Sequence, residues 1–564
     1  MKSPVWTTAL PDWERRIVAR ESLLPCAPLF PQQAKDGLEY FDALRAVDVG
    51  PDMPTMGEIC RPWVRDWVAS ILGAFDGYEQ RLIKEWFLLI SKKNGKSTTA
   101  GLLMLTVLLL NFRPSAEFGI LAPTVEVANN AFKPAADAIR ADEELKAMMH
   151  VQDHIRTITH LGTRATLQVV AADSDTVAGK KWVGTFIDEL WLFGKRANAF
   201  KMLEEATGGM ASRKEGFVIY ASTQSDEEPA GVFKDKLAYA RKVRDGEIED
   251  PQFLPVLYEF PKAMVESQAY LDEENFYITN PNMGASVDEA FIRRKMRMVG
   301  EAGEESIQVV LAKYLNVQIG QNLSGNRWTG ADFWKASADK SLTLDTLLAR
   351  CDVVVVGLDG GGHDDLYGFT VLGRDDKTGH LLSWSRAWAL PIVLERRKEI
   401  APRLLDFKKA GELVIVQRIE EACDEVVALI QKVEQAGKLG ALDEGKRKAI
   451  GVDPAGIKQT LDALNAADYP AEQICAVSQG WRLGSAIKST ELYLSSGTLL
   501  HADQELMAWC VGNAKVEPKG NAVLITKQIS GSAKIDPLMS LFNCVELMSR
   551  SPEPSRKEFQ LFFA

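Results

Sequence analysis

Ser91-Lys92-Lys93-Asn94-Gly95-Lys96-Ser97-Thr98 follows the apolar run Trp86 to Ile90 and leads into the apolar stretch Gly101 to Leu110, interrupted by Thr106. A strand, a loop and then a helix can cradle nucleotide phosphates. Backbone N–H groups converge at the helix N-terminus, a Lys reaches the outer phosphates and a hydroxyl ligates Mg2+. Gly95, Lys96 and Ser97 supply these parts, and Lys92, Lys93, Asn94 and Thr98 complete the candidate ATP-binding loop. The usual pattern has another Gly five positions before Gly95, where this chain has Ile90. Taken alone, the loop also reads as a solvated Lys-rich turn with Ser97 starting a helix.

Chain order weighs against that reading. Val183 to Ile187 is a short apolar strand ending in Asp188-Glu189, carboxylates suited to holding a Mg2+-bound water and polarising the attacking water. Phe217 to Ala221 ends in Ser222-Thr223-Gln224, polar side chains placed to sense a γ-phosphate. Each pair or triplet could be an ordinary turn or cap. Three strands delivering loop, carboxylates and polar sensor in this order predict a P-loop NTPase, an α/β domain with helices on both faces of a parallel sheet.

The chain has 564 residues, 46% hydrophobic and 25% charged, so two or three domains are expected. Its seven Cys include no CxxC pair and its six His no HExxH spacing, which suggests neither a zinc site nor a disulfide framework and fits a reducing cytosol. No signal-peptide pattern opens the chain, and the longest apolar run is short of a membrane span. The net charge of -11 argues against a nucleic-acid coat protein but not against a DNA enzyme, in which metal-holding carboxylates coexist with local basic patches.

Pattern and composition divide the chain into an N-terminal appendage (1–54), a P-loop ATPase domain (55–254), a helical lid or linker (255–345), a second mixed-sheet domain (346–549) and a C-terminal tail (550–564). Helices are predicted over 96–112 and 125–141, and the linker turns at Asn280-Pro281-Asn282. Val353 to Leu358, Leu366 to Gly373 and Leu381 to Trp388 read as a three-strand meander, followed by strands at Glu412 to Val416, Ala449 to Val452 and Ile474 to Val477. The tail ends in Phe559, Leu561, Phe562 and Phe563, a disordered end or a docking peptide.

A second chemical set lies in the mixed-sheet domain. Asp359 ends the first meander strand before Gly360-Gly361-Gly362, Asp453 ends another strand before Pro454, and Asp536 opens the helix 537–549. They are 94 and 83 residues apart, so only a fold could gather them. Hard divalent ions need oxygen ligands, and phosphodiester cleavage is served by two such ions about 3.5–4 Å apart. The alternatives are strand-end turns for Asp359 and Asp453, and an N-cap with Pro537 at the first helical position for Asp536. Asp364 and Asp365 are further candidates that a solvated hairpin turn explains equally well. His501 reads as structural.

With both sets in view, the chain resembles the large terminase subunit of tailed bacteriophages, in the group whose phosphate loop reads basic-Lys-Asn-Gly-Lys-Ser. The resemblance spans roughly residues 55 to 545. It rests on Lys92 to Ser97, Ala122-Pro123-Thr124, Asp173 to Gly179, Asp188-Glu189, Ser222-Thr223-Gln224, Asn280-Pro281, Asp359, Asp453, Gln479-Gly480 and Lys534-Ile535-Asp536-Pro537, in that order. Two departures stand out: Pro62-Trp63-Val64 where the family often has Pro-Trp-Gln for adenine contact, and Lys534 where Arg is common.

The resemblance implies that Lys96 and Ser97 contact phosphates and Mg2+, that Asp188 holds the metal and that Glu189 activates water. Ser222 to Gln224 would couple hydrolysis to movement. Asp359, Asp453 and Asp536 would ligate Mg2+ or Mn2+ in an RNase H-like nuclease. It also implies ATP as fuel, double-stranded DNA as substrate, and the procapsid portal and small terminase subunit as partners. The expected assembly is a homo-oligomeric ring when docked, with a monomer in isolation left open, acting in the host bacterial cytoplasm and transiently at the portal, without a membrane. The transition-state arginine could be Arg140, Arg156, Arg164 or Arg213. Competing readings are a DNA helicase or translocase with a non-cleaving RNase H-like domain, and a portal-docking assembly protein. A DDE-type transposase would lack the ATPase half.

Overall fold

A computed structural model describes residues 4–76, 80–172, 180–196, 198–302, 304–318, 328–360, 362, 364–398, 400–453, 458–519, 522–527 and 534–554. Asp173 to Gly179, Gly361, Pro454 and the Phe-rich end of the tail lie outside them. The chain divides into two compact units, residues 1–320 and 321–564.

The first unit is built on eight strands: β1 (Glu85–Leu89), β2 (Glu117–Ala122), β3 (Met149–Gln152), β4 (Thr157–His160), β5 (Thr166–Ala171), β6 (Trp182–Asp188), β7 (Phe217–Ser222) and β8 (Phe253–Leu257). Their order is β3-β4-β5-β2-β6-β7-β1-β8. The six from β5 to β8 in that order are parallel, and β3 and β4 add an antiparallel edge. Every residue of β6 and β7 is buried, the continuous apolar pattern of strands covered on both faces. Behind the phosphate loop runs α2 (Lys96–Leu109), in which Ala100 and Leu102 to Leu105 are fully buried. A helix apolar all round belongs in a core, and each buried Leu contributes about 1.5–3 kcal/mol.

α2 stops at Leu109, three residues short of the expected end, because Pro114 approaches and Asn111 bonds the backbone of Arg113 instead. α3 (Val125–Arg140) is capped by Thr124, whose hydroxyl accepts from Val127 N at 3.3 Å. β8 runs to Leu257, past the expected limit at 254, because its register with β1 buries all five of its residues. The expected linker 255–345 is divided between the two units at residue 320. The expected appendage is packed onto the first unit through α1 (Trp13–Val18): the Arg244 guanidinium, at the end of α4 (Gly231–Arg244), lies 3.8 Å from the Trp13 ring centroid, and Leu10 N donates to Arg244 O at 2.7 Å.

The second unit contains β9 (Ala338–Asp339), β10 (Cys351–Gly360), β11 (Tyr367–Asp375), β12 (Leu381–Ala389), β13 (Leu413–Ile415), β16 (Ile450–Val452), β17 (Cys475–Ala476) and β18 (Leu499–Ala502). Two small pairs accompany them: β14 (Ala441–Leu442) with β15 (Arg447–Lys448), and β19 (Ala514–Lys519) with β20 (Ala522–Lys527). The main sheet runs β17-β16-β10-β11-β12-β18-β9, with β13 also on β12. The meander β10-β11-β12 is antiparallel as predicted, while β16 and β17 lie parallel to β10. This is an RNase H-like mixed sheet. One face packs on α8 (Asp536–Ser549), the other on α7 (Ile419–Gln435), numbering the intervening helices α5 (Glu304–Leu315) and α6 (Leu344–Arg350).

Candidate active sites

Beyond β1 the chain enters the loop through Ile90, whose N–H donates to Ser222 O at 3.0 Å. Ile90 is fully buried, so the position where another Gly is usual continues the sheet here. The loop takes its left-handed turns at Lys93 (φ +75°) and Gly95 (φ +77°). Lys96 is the first residue of α2. Its ammonium donates to Asp188 Oδ1 at 3.1 Å and to Glu189 Oε1. The Ser97 hydroxyl donates to Asp188 Oδ2 at 2.6 Å, and Trp191 Nε1 donates to Glu189 Oε2 at 2.6 Å. Glu189 itself adopts φ +53°, a conformation costly for a side chain of its size and maintained by the packing around it.

Strand order explains the convergence. β6, which carries Asp188, and β1, which carries the loop, are separated by β7, so the three loops open on the same edge of the sheet. Burial raises the Asp188 carboxyl, opposed by Lys96 and by the Ser97 hydroxyl. Burial also pushes Glu189 upward, but the Lys96 charge, the hydrogen bonds from Lys96 and Trp191 and the Lys313 charge outweigh it and hold Glu189 below the usual carboxylate range. Burial disfavours the Lys96 ammonium, and the two carboxylates more than compensate, raising it.

A cavity of about 410 Å³ borders Lys92, Lys93 and Gly95 to Thr98 on one side and Glu189 on another. Its far wall is the polar face of α3, with Asn129, Asn130 and Lys133, and the Val47-Asp48 segment closes one end. None of these wall residues is evident from the sequence motifs. The one available signal is the polar stripe Glu126, Asn129, Asn130, Lys133 and Asp137, which recurs at helical spacing along an amphipathic helix.

The four candidate arginines are dispersed. Arg156 donates to Asn129 Oδ1 at 3.1 Å and so braces the wall, while Arg140 is paired with Asp137 and Asp153. Arg164 and Arg213 do not border the cavity. Nor does Trp63, whose indole N–H goes to Asn282 Oδ1 at 2.7 Å.

Asn94 is buried beneath the loop and faces the linker. Its Nδ2 donates to Asn280 Oδ1 at 2.8 Å and its Oδ1 accepts from Asn282 N at 3.0 Å, which clamps the Asn280-Pro281-Asn282 turn to the loop. Ser222, Thr223 and Gln224 are buried away from the cavity. Ser222 Oγ accepts from Trp191 N at 3.1 Å. Gln224 is a junction: its N–H donates to Asn316 Oδ1 at 3.0 Å, its carbonyl accepts from Lys313 Nζ at 3.0 Å and its Nε2 donates to Glu259 Oε1 at 3.4 Å.

Lys313 near the end of α5 touches all three loops. Its carbonyl accepts from Lys92 N at 2.7 Å, its ammonium bonds Gln224, and that ammonium stands 2.9 Å from the Trp191 ring centroid, next to the ring that holds Glu189. Burial pushes this ammonium down to about 7, with Asp226 and Glu189 pulling the other way.

In the second unit, register does what sequence separation hides. Leu358 pairs with Val452 across parallel strands, so Asp359 and Asp453 leave adjacent rows at the same sheet edge. Asp536 reaches that edge from the start of α8. It is the first helical residue, with Ile535 at the N-cap, so the cap falls one residue before the place expected for Asp536. Gly360 (φ +84°) makes the approach possible, since a Cβ there would meet Leu366 O at 2.1 Å and Asp536 Oδ1 at 3.1 Å. Among the described residues no three His, Cys, Asp or Glu are arranged to hold a metal ion. The donor set is all carboxylate oxygen, the chemistry that Mg2+ or Mn2+ requires, and Gly360, next to Asp359 in the chain, leaves room for the Asp536 carboxylate.

Asp364 and Asp365 are not a solvated turn. Asp364 is paired with Arg397 at 2.8 Å and Asp365 with the buried Lys534 at 2.8 Å, a bridge from the β10-β11 connection to the residues just before Asp536. His501 is buried, stacked on Trp334 at 3.8 Å between centroids, with its ring nitrogens on Ala502 O and Trp334 O, a structural role.

A P-loop sheet followed by an RNase H-like sheet with carboxylates at one edge defines an ATPase joined to a nuclease. Residues 62–242 match the family model of the terminase large subunit ATPase domain, and residues 249–551 match that of its endonuclease domain. The chain belongs to the terminase large subunit family, enzymes that hydrolyse ATP to translocate DNA and that cut it.

Protein YmfN of Escherichia coli K12 is 21% identical over 345 residues, 60% of this chain and 72% of that protein. The HK97 bacteriophage large terminase is 17% identical with a TM-score of 0.47, covering 91% of this chain and 99% of that one. The large terminase of a thermophilic bacteriophage in complex with ADP is 13% identical with a TM-score of 0.30, covering 82% and 94%. The assignment rests on the two domain matches. No described helix is long and apolar enough to cross a membrane.

Proposed function

We propose that this chain is the motor and cutting subunit of a viral DNA-packaging machine. It would dock as a ring on the procapsid portal, take concatemeric DNA presented by a small terminase subunit, drive it inward with ATP, and cut at initiation and termination. The observation that best supports the motor half is the meeting of Lys96 and Ser97 with Asp188 and Glu189 at a cavity that Lys96, Ser97 and Glu189 line. Lys96 and Ser97 take the phosphate and Mg2+ positions, Asp188 the metal-water position, and Glu189 orients the attacking water. The ion would supply charge neutralisation of the β- and γ-phosphates. Once a γ-phosphate draws the Lys96 ammonium, Glu189 Oε1 is released to accept from water, while Trp191 keeps the carboxylate aimed. Asp359, Asp453 and Asp536 would hold Mg2+ or Mn2+, and the ion would supply the charge neutralisation that phosphodiester cleavage needs.

The direct test is purified protein with plasmid DNA, ATP and Mg2+ or Mn2+. DNA-stimulated ATP hydrolysis together with ion-dependent cleavage is expected. ATP hydrolysis with no cleavage by either ion would leave a translocase with a non-cleaving second domain, and neither activity would leave an assembly protein.

The coupling reading of Ser222 to Gln224 gains a physical route through Lys313 and Asn316, since α5 precedes the chain's passage into the second unit. Lys313→Met keeps the aliphatic stem and removes a buried charge, so thermal stability should be unchanged or higher. ATP turnover should fall about tenfold, the ~1.4 kcal/mol of one charge-assisted bond, with little change in KM. A parallel fall in melting temperature and kcat would reduce Lys313 to a packing role.

A further inference from the structure

Of the thirteen tryptophans only Trp481 is exposed, 62% accessible. A single exposed apolar side chain is ordinary on a protein surface. Its setting is not. Val452 pairs with Ala476, and Val477 N donates to Val452 O at 2.9 Å, so the chain after β17 leaves the sheet at the edge from which Asp359 and Asp453 project.

The turn that follows is anchored to the strand of Asp359. Gln479 Nε2 donates to Asn543 Oδ1 at 2.9 Å, and the buried Asn543 donates to Leu358 O at 2.8 Å. Gly480 then takes φ +69°, reversing the chain before the short 3-10 turn Gly480–Leu483, beside Leu524 of β20. Trp481 and Arg482 stand on that turn, both solvent-facing. The Arg482 guanidinium lies 5.3 Å from the indole centroid, with no carboxylate partner among the described residues. The buried Gln479 Oε1 also lacks a hydrogen-bond partner among the described residues, an acceptor left for a ligand at the foot of the turn.

An exposed indole and a guanidinium with no carboxylate partner among the described residues, on a turn anchored beside the edge that carries Asp359 and Asp453, suit a polyanion that carries flat rings. We propose that Trp481 and Arg482 form a DNA platform at the nuclease edge, the indole stacking on a nucleobase unstacked next to the cut and the guanidinium meeting a phosphate of the same strand. The inference rests on the nuclease reading of Asp359, Asp453 and Asp536. Stacking of a base on an aromatic ring is sequence-tolerant, because every base presents a π-face. The platform would hold the strand in place without selecting sequence. It would favour duplexes that open easily at the cut, where less stacking energy is lost.

The test uses the full chain, first in plasmid cleavage and then in fluorescence anisotropy with labelled duplexes, fully paired or carrying a central mismatch, under Ca2+. W481A should weaken binding about tenfold, more for the mismatched duplex, and raise KM for plasmid cleavage with kcat at saturating DNA within about twofold. W481F should retain most of the binding. R482Q should lower the dependence of log affinity on log salt by about one. DNA should also quench the emission that distinguishes wild type from W481F. Unchanged binding and KM in W481A, in a preparation whose wild type cleaves, would overturn the platform. A wild type that binds but never cleaves would instead remove the nuclease reading, and the quenching and salt-slope arms would still decide whether these residues meet DNA. Should W481A misfold, W481F and R482Q carry the test, and a normal salt slope in R482Q with no DNA-dependent difference emission would overturn the proposal.

Discussion

Glu189→Gln should lower ATP hydrolysis by about 10²–10⁴-fold while leaving nucleotide binding nearly intact. The substitution is isosteric and keeps a hydrogen-bond acceptor for Trp191 Nε1, which donates to the carboxylate at 2.6 Å in the native chain. What it removes is the negative charge. Glu189 is held ionised by the Lys96 ammonium in spite of burial, and a neutral amide cannot polarise water in that way. Lys96→Ala should fail differently: both carboxylates lose the cation that their burial requires, so nucleotide affinity and turnover fall together. Steady-state hydrolysis and equilibrium binding of a fluorescent ATP analogue separate the two. Turnover by Glu189→Gln within a few-fold of wild type would remove Glu189 from the role of general base.

Asp359→Asn should abolish DNA cleavage, by about 10³-fold or more, and leave ATP hydrolysis within about twofold. The strand beneath Asp359 is pinned by β11 and β16, so the amide should fold in place of the carboxylate. An amide oxygen is a weaker ligand for a hard cation and carries no charge to offset it, so the loss falls on metal affinity and on the stabilisation of developing charge. Asp453→Asn should behave alike. Agarose-gel nicking assays titrated with Mn2+ give the measurement. Cleavage retained at saturating metal would return Asp359 to the part of a strand-end turn residue.

Part of the first site is legible from local chemistry. A phosphate loop has to place a Lys, a hydroxyl and a helix start in consecutive residues, so Lys96 and Ser97 can be read without a fold. Asp188-Glu189 and Ser222 to Gln224 are legible only as strand ends, and their grouping depends on β7 lying between β6 and β1, an order no linear pattern encodes. The α3 wall is legible only as the polar stripe of an amphipathic helix, with nothing to say that it faces a nucleotide. Asn129, Asn130 and Lys133 carry no motif, and they face the cavity because α3 packs against α2. Asn94 shows the reverse: it sits within the loop motif, yet its side chain is directed to Asn280 and Asn282.

By itself the sequence determined the elements and their chemistry: a strand, loop and helix that can take a phosphate, two later strands ending in polar groups, and a meander followed by further strands with an Asp at three element ends. Those properties are local, set by backbone hydrogen bonding, side-chain period and the residues that begin and end each element. Tertiary structure alone decided which of these groups meet. Lys313 reaches all three ATPase loops from more than 80 residues away, and Asp536 comes up against Gly360, the residue after Asp359, because Gly360 offers no side chain to block it. Such meetings follow from sheet order and close packing between distant segments, where the energy of burying apolar faces selects one register among many.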